Sequence, residues 1–109
     1  MRRTGVLRCD WCGRELPAQE GLGRRRRYCA HACRQRAYEH RNAVNRGDLP
    51  PDAVVLSADE AADLADRLYQ MRCAAEDVAT AVAERARVGE LNDLVGTLLI
   101  AARAAERLR

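Results

Sequence analysis

Four of the five cysteines fall in two close pairs, Cys9-x2-Cys12 and Cys29-x3-Cys33, with sixteen residues between them. A two-residue spacing lets a tight turn present both sulfurs to one ion, and Gly13 permits the positive φ that ends such a turn. Zn²⁺ takes four soft thiolates as a tetrahedron, and the closed shell leaves no position for water or substrate. The pattern predicts a structural zinc ion held by Cys9, Cys12, Cys29 and Cys33. An iron–sulfur cluster would use the same ligand type. A thioredoxin-like redox pair is disfavoured, because no βαβ pattern surrounds Cys9-Asp10-Trp11-Cys12. His31 and His40 are of the type that can replace a thiolate in a Cys₃His site. With four cysteines completing the shell, His31 is expected at a helix surface and His40 as a packed side chain. Cys73 is expected to pack without chemistry.

Arginine supplies the second chemistry. All 19 basic residues are arginine, and Arg24, Arg25, Arg26 and Arg27 run consecutively into Tyr28 and Cys29. They cannot all be paired internally, because their half of the chain holds only Asp10, Glu15, Glu20 and Glu39 as acids. Such heads suit phosphate oxygens, which position a protein without reading sequence. From Ala32 to Arg46 there is no Gly or Pro, and Gly47 supplies a stop, so a helix follows Cys33. A helical period sets Cys33, Ala37, His40 and Val44 on the side facing the metal. Arg34, Tyr38, Arg41 and Asn45 fall on an adjoining flank, with Gln35, Asn42 and Arg46 beside it. Arg, Asn and Gln pair bidentately with base edges in a major groove. The expected division of labour is phosphates for the hairpin arginines and bases for the helix flank.

The run from Arg27 through Tyr28-Cys29-Ala30-His31-Ala32-Cys33-Arg34-Gln35-Arg36-Ala37 to Tyr38, after Cys9-x2-Cys12-Gly13, resembles the treble-clef zinc fingers of small bacterial proteins. It is similar to the CGNR and MYND-type fingers. The resemblance covers Arg8 to Arg41. It implies a zinc knuckle, a β-hairpin and a helix whose first turn carries the last ligand. CGNR-type fingers are associated with DNA binding and MYND-type fingers with protein binding.

These residues need elements to hold them. A chain of 109 residues allows one compact domain or two very small ones. Hydrophobic residues make up 48% and charged residues 32%, which argues against disorder. The only aromatics are Trp11, Tyr28, Tyr38 and Tyr69, so the core needs help from another source. Charge separates into two halves: Met1 to Gly47 has twelve Arg against four acids, and Asp48 to Arg109 has seven Arg against twelve acids. Ser57-Ala58-Asp59-Glu60 forms a capping box. The seam Ala61, Leu64, Leu68, Met71, Ala75, Val78 and Val82 follows it. Arg87-Val88-Gly89 is expected to end that helix. A second seam, Leu91, Leu94, Leu98, Ala101, Ala105 and Leu108, then starts in a new phase, which predicts a helical hairpin. Leu99 and Ile100 widen its apolar face and predict self-association into a helical bundle.

The expected architecture is a small α+β zinc finger, treble-clef-like, over residues 5–46. A linker over 47–56 leads to an all-α helical hairpin over 57–109. Met1 to Arg8 shows no apolar segment of a secretory signal, and no stretch is long and apolar enough to span a bilayer, so the chain is expected in the cytoplasm. Cysteine-rich chains in that reducing compartment favour metal over disulfides. No serine in the basic half and no carboxylate pattern around either histidine supports an enzyme. Neither a membrane nor a small-molecule substrate is expected as a partner. The expected function is a zinc- and nucleic-acid-binding protein, a dimeric DNA-binding transcriptional regulator. The alternative is a zinc-finger adaptor that joins a hetero-complex through its C-terminal helices.

Overall fold

The computed structural model describes residues 6–17, 23 and 25–109, which form two compact units, Met1–Val55 and Leu56–Arg109. Arg24 lies outside the described residues. Three helices account for the regular structure: α1 (His31–Asn45), α2 (Ala58–Ala83) and α3 (Val88–Ala105).

The described residues contain no strand, which overturns the expected α+β, treble-clef-like class. The basic hairpin expected between the two cysteine pairs falls partly on residues 18–22 and 24, outside the described residues; around the first pair, Arg8 and Glu15 form an isolated antiparallel bridge. Cys9 N–H donates to Arg14 O at 2.8 Å, Gly13 N–H to Cys9 O at 3.0 Å, and Leu16 N–H to Leu7 O at 2.8 Å. These bonds close a tight turn about the first cysteine pair instead of extending a ladder. Pro17, which has no N–H to donate, then ends the second arm. Residues 25–28 lie outside any strand and give Asp10 N–H a single acceptor, Arg27 O at 2.8 Å.

Helix α1 carries Cys33 in its first turn and buries Cys33 and Ala37, with His40 and Val44 half-buried along the same side. It ends in a Schellman motif. Gly47 at φ +83° donates to Val44 O at 3.0 Å, and Asp48 N–H donates to Ala43 O at 2.9 Å. The core of this unit is Cys9, Cys12, Leu16, Tyr28, Cys33 and Ala37, with Leu7, Trp11 and Cys29 packed against it. Cysteine thus replaces the large apolar side chains that the sequence lacks. His40 reaches back across the segment read as a linker: its Nε2 lies 3.1 Å from Ala53 O.

In the second unit α2 and α3 pack on one another. Ser57 caps α2 through a reciprocal box, with Glu60 N–H donating to Ser57 Oγ at 3.0 Å and Ser57 N–H to Glu60 Oε1 at 2.9 Å. The turn falls before Gly89, which lies in the first turn of α3. Arg85 takes the left-handed position at φ 58°, and Ala86 N–H donates to Ala81 O at 2.9 Å.

The contact face of α2 is rotated from the expected seam. Leu64, Met71 and Val78 are half-buried as that seam requires, but Ala61, Leu68, Ala75 and Val82 are exposed. Arg67, Ala74 and Ala81 are buried in their place. Two helices alone cover a narrow stripe, and small alanines let the backbones approach most closely along it. On α3, Leu91, Leu94, Leu98, Ala101 and Ala105 are half-buried, while Leu108, beyond the end of the helix, is exposed.

Arg67 is the one buried charged residue among those described. Its Nη1 donates to Ala104 O at 2.6 Å and to Arg107 O at 2.8 Å, its Nη2 to Leu108 O at 3.3 Å, and its Nε to Asp63 at 2.8 Å. A cation on α2 thus caps the carbonyl end of α3.

Candidate metal centre and arginine cluster

The knuckle turn brings Cys9 and Cys12 together, and the extended approach to α1 delivers Cys29 just before the helix and Cys33 within it. All four Sγ atoms lie within 4.8 Å of one another, a set that can hold a metal ion. Cys29 Sγ is 3.6 Å from both Cys12 Sγ and Cys33 Sγ. A disulfide would require ~2.05 Å. A tetrahedral shell with metal–sulfur bonds of ~2.3 Å has sulfurs about 3.8 Å apart, so the thiols are spaced as a metal shell requires. His31 is exposed on α1, and neither it nor His40 belongs to the cluster. Cys73 is half-buried on α2, in the other unit.

The thiols are not equivalent. Burial pushes the Cys9 thiol up, but hydrogen bonds from the backbone of Cys12, Cys29 and Trp11 outweigh it and hold Cys9 at about 6. Cys29 and Cys33 are pushed up, first by burial and then by neighbouring sulfurs, although the Cys33 sulfur pulls Cys29 the other way. Four thiolates crowded into a partly buried space repel one another unless a cation sits among them. The donor set therefore fits a soft divalent metal.

The chain matches no protein-family model, no curated protein and no solved structure. The likeness to CGNR and MYND-type fingers stands on the motif alone.

Tyr28 organises the basic residues next to the thiols. It is buried, and its ring has Arg34 Cζ 5.3 Å and Arg27 Cζ 5.7 Å from its centroid. Arg41 Nη1 donates to its hydroxyl at 3.4 Å. Arg26 donates to the carbonyl of Tyr28 at 3.1 Å and to that of Cys29 at 3.1 Å. Arg27 also pairs with Asp10 at 2.9 Å, which raises the guanidinium's pKa. Arg34 and Arg41 have no carboxylate partner among the described residues. Along the α1 flank, Arg34, Tyr38, Arg41 and Asn45 are all exposed, Tyr38 by 52%. Arg25 is exposed too.

Sequence reasoning assigned no role to Tyr28 or Arg67. For Tyr28 the signals were present: it precedes a ligand cysteine, and Arg34 and Arg41 lie seven residues apart on one helical side. For Arg67 there was none, because an arginine in a helix reads as solvated.

Proposed function

We propose that this chain is a zinc-binding, DNA-binding protein that acts as a dimeric transcriptional regulator, with the N-terminal unit on DNA and the helical hairpin as the assembly element. One observation carries the reading: a four-thiolate cluster and a group of exposed arginines occupy the same small unit. Zinc suits the thiolates because it is content with a closed, redox-silent tetrahedron. When bound, it would hold Cys9, Cys12, Cys29 and Cys33 together and so fix the start of α1. Four thiolates leave no open ligand position, so we assign the centre no catalysis. Two negative charges from a tetrathiolate zinc centre leave a basic unit, and nucleic acid is the partner with matching charge density. The proposed DNA-facing residues are Arg25, Arg26 and Arg27 with Arg34, Tyr38, Arg41 and Asn45. No helix of the described residues is long and apolar enough to cross a membrane. Self-association is supported by apolar side chains left outside the α2–α3 contact, notably Leu68, Val82, Leu99 and Ile100.

The test is a mobility shift of the purified, metal-loaded chain with random-sequence duplex DNA across a salt series. The reading predicts log affinity falling linearly and steeply with log salt. Weak, non-saturating binding with no salt slope refutes it and favours the adaptor. Elemental analysis of the same sample should give one zinc per chain, without iron.

A further inference from the structure

We propose that Tyr28 is a positioning residue that gathers Arg27, Arg34 and Arg41 into one preformed site for the phosphodiester backbone, and this rests on the DNA-binding reading above. The loop and helix arginines then act as a single unit, instead of dividing phosphates from bases between them.

Three guanidiniums meet one side chain by two different chemistries. Arg27 and Arg34 lie within 5.7 Å of the centroid of an electron-rich ring, and Arg41 donates to its hydroxyl. Their common anchor is buried and packs in the metal core, so it is held still by the fold. The heads themselves stay exposed. Arg27 and Arg34 are thereby held within about 11 Å of each other, a span over which duplex DNA, at one charge per ~1.7 Å of axis, offers several phosphates. Like charges held this close repel, and Asp10 on Arg27 is the one carboxylate that relieves them among the described residues. An arriving phosphate relieves the remainder, and the planar guanidinium fork matches its oxygens. Preorganisation matters here: three arginines already anchored on one side chain lose less freedom on binding than three loose ones would.

The experiment measures the salt dependence of binding to a random-sequence 20-base-pair duplex for the full, metal-loaded chain and its variants. Arg34→Ala and Arg41→Ala should each make the slope of log affinity against log salt shallower by about 0.9. Arg14→Ala, an exposed arginine away from Tyr28's contacts, is the control and should leave the slope unchanged. Tyr28→Phe keeps the ring that holds Arg27 and Arg34 but removes the acceptor for Arg41, so it should lose no more than about 0.9. Tyr28→Leu should lose about 2 or more, with metal content and helical circular dichroism unchanged. In the Tyr28→Leu background, Arg34→Ala should cost little further, because the stack it served is gone. If wild type shows no salt-dependent binding, the DNA reading falls and the cluster with it. If wild type binds but Tyr28→Leu retains metal and the full slope, the cluster alone is overturned. Equal losses from Arg14→Ala and Arg34→Ala also overturn it, in favour of diffuse charge. Should Tyr28→Leu lose its metal, the comparison of Arg34→Ala and Arg41→Ala with Arg14→Ala decides the matter.

Discussion

Replacing Arg67 by alanine should destabilise the helical hairpin by about 3 kcal/mol, more than any surface arginine in the chain. The side chain is 8% exposed, and its two Nη atoms serve three carbonyls at the end of α3. A hydrogen bond from a charged donor is worth about 1.5–3 kcal/mol. Three acceptors do not triple that figure, because Nη1 is shared between two of them. Asp63 adds little: its side chain is 51% exposed, and an i,i+4 pair of this kind contributes about 0.5 kcal/mol. At roughly 4–8 °C per kcal/mol for a small domain, Arg67→Ala should lower the hairpin's melting midpoint by about 12–24 °C. Circular dichroism at 222 nm follows this transition, since α2 and α3 hold most of the helical residues. Arg67→Lys should recover a minority of the loss, because an ammonium lacks the planar fork that spans two carbonyls. Arg67→Met separates the charge from the aliphatic stem. A methionine variant that melts with wild type would show that the carbonyls rehydrate without cost, and the capping argument would be wrong.

Chelation should unfold the thiolate-bearing unit and leave the hairpin helical; NMR dispersion lost only from residues up to Val55 is the expected outcome, and a metal-free chain that keeps all its signals would contradict it. Acidification should release the metal, because protons compete for the sulfurs that bind it, and a chromophoric chelator added across a pH series should report more free metal as pH falls. Leu68→Asp should abolish self-association in sedimentation runs while leaving circular dichroism unchanged, since Leu68 is 44% exposed and lies outside the intramolecular contact. A wild type that sediments as a monomer at high concentration would refute the assembly role of that face. Arg85→Gly should raise the hairpin's stability by about 1 kcal/mol in urea unfolding, because φ 58° strains an arginine and not a glycine.

The parts of this molecule readable from residue order were those governed by local spacing. The cysteines of the two pairs are three and four positions apart, and the four thiols do meet. The Ser57–Glu60 box and the Gly47 stop likewise depend on residues within one helical turn. What failed depended on competition between distant groups. Among the described residues no strand forms: the backbone closes a tight turn about the first cysteine pair beside an isolated Arg8–Glu15 bridge. The α2 face turned by one position because apolar content favours Leu68 and Val82, whereas close helix approach favours Ala74 and Ala81. The reach of Arg67 to carbonyls some forty residues away adds a preference that no local pattern encodes. Tyr28 belongs to the same class: its partners come from the loop before it and from two α1 positions about two turns apart.

Trp11 gives the chain a built-in optical reporter. It is the sole tryptophan, it lies between Cys9 and Cys12 in the knuckle, and its ring meets His40 edge-on at 5.9 Å. Emission excited at the red edge of indole absorption therefore comes from the thiolate-bearing unit alone, while the hairpin, with Tyr69 as its one aromatic residue, is silent. Unfolding of the two units can be timed separately in one cuvette without attaching a dye.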